Sequence, residues 1–209
     1  MRPRALALYP EVSLMIRVAT PRDAAAIAGI YAPVVERTAI SFETEPPTEA
    51  EMASRVSRCL EFAPWLVCDE GDAILGYAYA SRHNERAAYG WSVNVSVYVG
   101  EGARRKGVGK ALYGSLFALL RLQGFYAAHA GITLPNEASV GIHESLGFRM
   151  VGVYRSVGFK KGAWYDVGWW QLPLRDRTGV PAPPLSLAEA TRHPGFAEAL
   201  TAGAGLVRA

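Results

Sequence analysis

Val97-Tyr98-Val99-Gly100-Glu101-Gly102-Ala103-Arg104-Arg105-Lys106-Gly107-Val108-Gly109-Lys110 is the stretch whose reading decides this fold. It opens as a β-branched run and closes in a pattern that predicts a helix from about Val108. A glycine-rich, basic turn joins the two. A helix start exposes backbone N–H groups without intrahelical partners, and the helix dipole adds partial positive charge there. Gly107 and Gly109 lack a Cβ, so an anion can come close to the backbone. Arg104, Arg105, Lys106 and Lys110 add formal charge at the same point. The stretch therefore reads as a phosphate or pyrophosphate site at a helix N-terminus. A basic, solvated turn before a helix is the plainer alternative. It is not a P-loop, because Val108 follows Gly107 where that motif needs Lys, and it is not a dinucleotide fingerprint, because Leu112 occupies the third glycine position.

Outward from this stretch, composition sets bounds. The chain has 209 residues, 50% of them hydrophobic, enough for one domain with a sizeable core. A net charge of +3, concentrated at the basic turn, does not favour nucleic acid as partner. No apolar run is long enough to cross a bilayer, and Pro10 and Glu11 interrupt the apolar start, so neither a membrane nor a signal peptide is expected. Cys59 and Cys68 read as buried thiols of a cytoplasmic protein. No Cys/His cluster has metal spacing, so no metal is expected.

Residues 1–14 read as an N-terminal extension, 15–174 as the domain, and 175–209 as a Pro/Ala-rich tail peripheral to the chemistry, with one helix from Ser186. Met15 opens a strand. Thr20 caps a helix running to about Arg37, with Pro33 as a candidate break. Ile40–Thr44 reads as short and extended, and Thr48-x-x-Glu51 as a capping box for a second helix. Two strands follow around Gly71-Asp72, then a polar connection over 82–90. Trp91–Val99 is the clearest strand: Trp91, Val93, Val95, Val97 and Val99 share one face, Ser92, Asn94, Ser96 and Tyr98 the other. That polar face, beside a phosphate loop, is either a reaction surface or solvent-facing. A helix to Gly124, a strand over 125–134, a short helix to Leu146 and two strands around Lys161-Gly162 complete the domain. The predicted order β-α-α-β-β-β-α-β-α-β-β makes it α/β.

The residues from Arg104 to Gly109, R-x-x-G-x-G, resemble the acyl-CoA pyrophosphate loop of the GNAT acetyltransferases. Asn136-x-x-Ser139 with Glu144-x-x-Gly147-Phe148 resembles the superfamily's last cofactor segment. Together with Ser41-Phe42-x-x-Glu45-Pro46, Tyr89-Gly90-Trp91, Ser96–Val99 and Val157–Gln171, the pattern is similar to the phosphinothricin and methionine sulfoximine N-acetyltransferases over about residues 15–174. That resemblance implies a mixed, largely antiparallel central sheet flanked by helices, with a splayed acyl-CoA cleft. It implies acetyl-CoA as cosubstrate, the α-amine of a small amino acid or analogue as acceptor, and a homodimer. Val97, Tyr98 and Val99 would offer backbone groups to the pantetheine arm. Arg104, Arg105, Lys106, Gly107, Val108, Gly109 and Lys110 would hold the pyrophosphate. Asn136 would contact the cofactor, or cap a helix, or both. His143 would relay a proton near the reacting centre; the alternative is a packed histidine. Phe42, Arg86 and Tyr89 would line the acceptor pocket, with Arg86 pairing an acidic group; the alternative for Arg86 is a solvated loop charge. The Trp-rich end (Trp164, Trp169, Trp170) reads as core or dimer interface rather than a ligand cage.

One departure stands out. Where the family usually has a glutamate base, this chain has Asn94. An amide takes no proton at neutral pH, so proton removal would fall to His143, a water chain or bulk solvent. The expected activity is N-acetyl transfer. A different small amine as acceptor, and a CoA-binding module with weakened catalysis, are the two alternatives.

Overall fold

A computed structural model describes residues 14–207. The expected extension therefore lies outside the described residues except for Leu14. The elements are β1 (Leu14–Val18), α1 (Ala24–Arg37), α2 (Glu49–Leu60), β2 (Trp65–Glu70), β3 (Ala73–Arg82), β4 (Ser92–Val99), α3 (Val108–Gln123), β5 (Ala127–Leu134), α4 (Glu137–Ser145), β6 (Arg149–Lys160) and β7 (Ala163–Pro173). This is the order read from the sequence. Beyond it come α5 (Leu187–Ala190) and α6 (Phe196–Thr201).

The strands form one seven-stranded sheet, β1-β2-β3-β4-β5-β7-β6. All its pairs are antiparallel except β4–β5. That pair is parallel because α3 carries the chain back across the sheet between the two strands. The β4–β5 ladder is short. Ser92, Val93 and Asn94 pair with Ala127, Ala128 and His129, and pairing then stops. β4 continues to Val99, paired to β3. β5 continues to Leu134, paired to β7. The two strands fork apart, and the expected splayed, mixed sheet is present.

Helices cover both faces. Leu112, Leu116, Leu119 and Leu120 of α3 bury against Leu66, Ala78, Val93 and Val95. On the opposite face, Ile27, Tyr31 and Val35 of α1 and Met52 and Val56 of α2 cover Trp65, Val67 and Tyr77. The alternation of β4 follows from this. Its valines face α3, while Tyr98 packs toward Tyr31 and Tyr77. The Asn94/Ser96/Tyr98 face therefore looks toward α1 and α2.

Several local expectations are modified. α1 runs through Pro33 without ending there, preceded by a 3-10 turn at Pro21–Asp23. Thr48 accepts from the Glu51 N–H at 3.2 Å, but the Glu51 carboxylate turns to Arg55, four residues on, so the capping box is half made. Ile40–Thr44 joins no strand ladder. Side chains hold it instead: Tyr31 and Ser41 hydroxyls meet at 2.6 Å, Arg55 grips Glu43 at 2.7 and 3.0 Å, and Lys160 donates to the Ser41 carbonyl at 2.7 Å. A backbone whose polar groups are satisfied this way needs no neighbouring strand.

The tail packs on α3. Ser186 caps α5 as expected, Leu187 and Ala190 are buried, and Phe196, Ala199, Leu200 and Val207 pack against the main core. Gly203 donates to Ser115 Oγ at 3.1 Å, and a Cβ there would collide with the Ala111 carbonyl. Gly203→Ala should therefore destabilise by about 1–3 kcal/mol, the usual range for overpacking, and lower Tm by several degrees. Gly205→Ala, where a Cβ would meet nothing within 4 Å, should leave Tm unchanged. Calorimetric scans of the two variants check both.

Candidate active site

The basic loop is built as its sequence predicts. After β4, the chain passes through a 3-10 turn at Glu101–Ala103, and Arg105 and Gly107 take left-handed backbones at φ 65° and 86°. Gly107 accommodates that conformation without strain. The first helical bond runs from the Ala111 N–H to the Gly107 carbonyl at 3.0 Å, which leaves the N–H groups of Val108, Gly109 and Lys110 without intrahelical acceptors. Arg104, Arg105, Lys106 and Lys110 are exposed, and none of them pairs with a carboxylate among the described residues. Gly109 serves packing as well: a Cβ there would lie 3.0 Å from Ile142 of α4.

The fork between β4 and β5 opens beside this loop. Its cleft is lined by Val95–Tyr98, Ala130–Thr133, Tyr113, Asn136 and His143. Past Asn94, alternate residues of β4 turn their N–H and C=O toward the missing neighbour. Val97, Tyr98, Asn136 and His143 are thus brought together, and Val99 continues the same strand toward Gly109. Asn136 caps α4, its Oδ1 accepting from the Ser139 N–H at 3.1 Å.

His143 is buried, and both ring nitrogens are occupied. Nδ1 donates to the Ser139 carbonyl at 2.7 Å, because a carbonyl can only accept. Nε2 then accepts from the Tyr113 hydroxyl at 2.9 Å. The ring is held as the neutral Nδ1–H tautomer. Burial depresses its pKa, against the Ser139 bond, and burial raises the Tyr113 phenol far above its usual value.

Asn94 sits at the apex of the fork, paired across to His129. Its Nδ2 donates to the Arg82 carbonyl at 3.3 Å, and its Oδ1 lies 2.8 Å from His83 Nδ1. The His83 and His129 rings stack at 4.2 Å, with Tyr89 at 5.7 Å and Trp169 edge-on at 6.1 Å. Of the expected acceptor residues, Tyr89 thus reaches the apex. Phe42 lies on the β6–β7 hairpin, over Gly158 and 6.5 Å from Tyr165. Arg86 is exposed in the connection before β4 and forms no ion pair among the described residues. The three tryptophans divide: Trp170 is core, Trp164 is exposed on the hairpin, and Trp169 stands over Gly131 beside the histidines.

Sequence reasoning passed over His83, His129 and Tyr113, and read Trp169 as core or dimer interface rather than part of a site. His129 falls at a polar-face position of its strand, but its pairing with Asn94 depends on the parallel register, which no local pattern specifies. Tyr113 falls on the buried stripe of α3, where it reads as core.

Comparison with known proteins agrees with this geometry. Residues 16–169 match the acetyltransferase (GNAT) domain family. The phosphinothricin N-acetyltransferase of Streptomyces viridochromogenes is 38% identical over 177 residues, covering 85% of this chain and 94% of that one. The L-methionine sulfoximine/L-methionine sulfone acetyltransferase of Salmonella typhimurium is 33% identical over 170 residues, covering 81% of this chain and 99% of that one. Among solved structures, a GNAT superfamily phosphinothricin acetyltransferase from Sinorhizobium meliloti, in complex with AcCoA, superposes with a TM-score of 0.76 at 37% identity, covering 81% of this chain and 94% of that chain. With residues 16–169 matched and relatives above 30% identity aligned over most of its length, the chain belongs to the GNAT acetyltransferase family.

Proposed function

We propose that this protein transfers the acetyl group of acetyl-CoA to the α-amine of a small amino acid or analogue of the phosphinothricin and methionine sulfoximine kind. One observation carries the reading: past the fork, Val97 and Val99 of β4 lie against Gly109 at the start of α3, where the first N–H groups lack intrahelical acceptors and four cations pair with no carboxylate among the described residues. When bound, acetyl-CoA supplies an activated thioester. Arg104–Lys110 hold its pyrophosphate, the open edge of Val97–Val99 meets the pantetheine amides, and the free amide nitrogen of Asn136 contacts the arm. The Tyr113 hydroxyl, whose O–H donates to His143 Nε2 in the resting site, turns that proton to the departing sulfur and stabilises it. The acceptor enters from the α1/α2 face, between Tyr89 and the Phe42 loop, where Arg86 pairs its acidic group. The relatives named for phosphinothricin and methionine sulfoximine support this class of acceptor.

The protein acts as a cytoplasmic homodimer in this reading. Two free cysteines, one of them buried, suit a reducing compartment. The edge strand β6 and its hairpin expose Tyr154, Val157, Phe159 and Trp164, the last at 65%. A cluster of apolar side chains on an open sheet edge is a surface made to be covered. Val157→Lys with Phe159→Lys should shift the mass measured by light scattering from dimer to monomer; an unchanged mass excludes this face.

Charge reversal tests the cofactor site more cleanly than substitution of Gly109, whose small size also serves the contact with Ile142. Arg104→Glu with Lys106→Glu should weaken acetyl-CoA binding at least tenfold in calorimetry, since each charge-assisted hydrogen bond contributes about 1.5–3 kcal/mol. Tm should be preserved, because both side chains are exposed. Unchanged affinity would refute the pyrophosphate assignment. Arg86→Ala should raise the acceptor KM by about ten- to a hundredfold on the same scale, with the acetyl-CoA KM unmoved. An acceptor KM within twofold of wild type removes Arg86 from the site.

A further inference from the structure

Asparagine at position 94 leaves the acceptor face without the expected carboxylate, and the structure supplies a different proton acceptor. The Asn94 amide is oriented by its neighbours. A carbonyl only accepts, so the group facing Arg82 O is Nδ2, and the group facing His83 is Oδ1. Oδ1 in turn only accepts. His83 Nδ1 must therefore carry a proton, and in the neutral ring the lone pair sits on Nε2. This is the logic by which a side-chain oxygen fixes a catalytic imidazole in the tautomer its reaction needs.

Placement agrees with chemistry. Asn94 and His129 form the last pair before the strands part, and the next residues, Val95, Ser96, Ala130 and Gly131, line the cleft. His83 hangs over that apex on the α1/α2 face. The Tyr113–His143 pair lines the same cleft from α3 and α4, on the opposite face. An amine arriving from the α1/α2 face would have a proton acceptor on its own side, with the Tyr113 hydroxyl across the cleft, its proton free to turn from His143 to sulfur. Rival bases are tied up. His143 has both nitrogens bonded, and Glu43, on the α1/α2 side, is bonded by Arg55 and Tyr31, its pKa lowered first by the Arg55 hydrogen bonds.

We propose that His83, its tautomer set by Asn94, takes the proton from the acceptor's ammonium group, so that an Asn–His pair does the work of the absent glutamate. This assignment rests on the acetyl-transfer reading above. The substrate R–NH3+ gives one proton to His83 Nε2, which passes it to solvent. The freed lone pair attacks the thioester carbon, a C–N bond forms, and the C–S bond breaks with its electron pair leaving on sulfur. A second proton leaves the nitrogen and is balanced by the one that ends on sulfur. The groups facing His83 are Asn94 of β4, His129 of β5, Tyr89 of the connection and Trp169 of β7. The His129 pKa is lowered by burial first, then by the charge on His83 and by Arg177, against its bond to the Val93 carbonyl.

The test has two arms. In the free enzyme, long-range 15N spectra of the imidazoles should show His83 protonated on Nδ1, and Asn94→Ala should abolish that preference. A His83 ring protonated on Nε2 in wild type overturns the proposal. In the second arm, kcat/KM is followed against pH with a panel of small amino acids and analogues. His83→Gln should lose about 100-fold or more near neutral pH, the usual contribution of a positioned base, and should regain activity only as alkaline pH frees the amine. Its acetyl-CoA KM should hold. In His83→Ala, added imidazole should restore turnover in proportion to its concentration, and His83→Gln/Asn94→Glu should recover part of the loss. His83→Gln within twofold of wild type at every pH overturns this assignment alone. Failure of wild type to acetylate any amine on the panel overturns the acetyl-transfer reading, and this assignment with it.

Discussion

Every functional feature depends on one abrupt event in the sheet: the β4–β5 ladder ends at Asn94 and His129. Among the described strands, β4 and β5 are the one neighbouring pair that runs parallel, joined across the sheet by α3. Antiparallel partners secure β4 and β5 on their outer sides, so both can continue in register while losing each other. Polar backbone left unpaired inside a protein is costly unless something else bonds to it. A ligand with amide groups of its own is a chemically matched substitute for the missing strand.

The fork also divides the chemistry between two faces. On the α3/α4 side lie the cation-rich loop, the helix start and the Tyr113–His143 pair, all suited to negative charge or to a departing sulfur. On the α1/α2 side lie stacked aromatics, Trp65 against Tyr79 at 4.2 Å and against Tyr77 at 5.6 Å, with Arg55 and Arg82 at the rim of a cavity of about 500 Å³. That larger cavity is not the fork itself. It shares with the apex the face from which an acceptor must come, and the segment from Arg82 to Tyr89 borders both.

Much of this was legible in the sequence because it is encoded locally. Gly107 before a helical stripe, the alternating valines of β4, and Asn136 before α4 each announce their structure within a few residues. Other parts were not. Ile40–Thr44 has the composition of a strand, but its hydrogen bonds go to Tyr31 and Lys160, distant residues that no local pattern names. The expectation of His143 as a proton relay could not account for Tyr113, which lies thirty residues away and closes off Nε2. The grouping of His83, Asn94 and His129 is a product of register between three strands or their ends. Asn94 was visible as an anomaly; what surrounds it needed the fold.

The seating of the tail on α3 bears on how this protein can have diversified. Gly203 lies against the Ala111 backbone and Leu206 against Gly107, contacts too close for any side chain at either glycine. The segment after β7 is thus a second layer laid over the helix that begins at the anion loop, and it also covers Gln123, which donates to the Leu185 carbonyl at 2.9 Å. Helix and tail must change together. A sequence drifting at residues 107, 111 or 114 is answerable to residues 203–206 as well as to its ligand, so α3 is under two independent constraints along the same turns. A chain trimmed after β7 would lay bare the apolar outer side of α3, and graft exchanges with relatives lacking the tail would carry that exposed face with them.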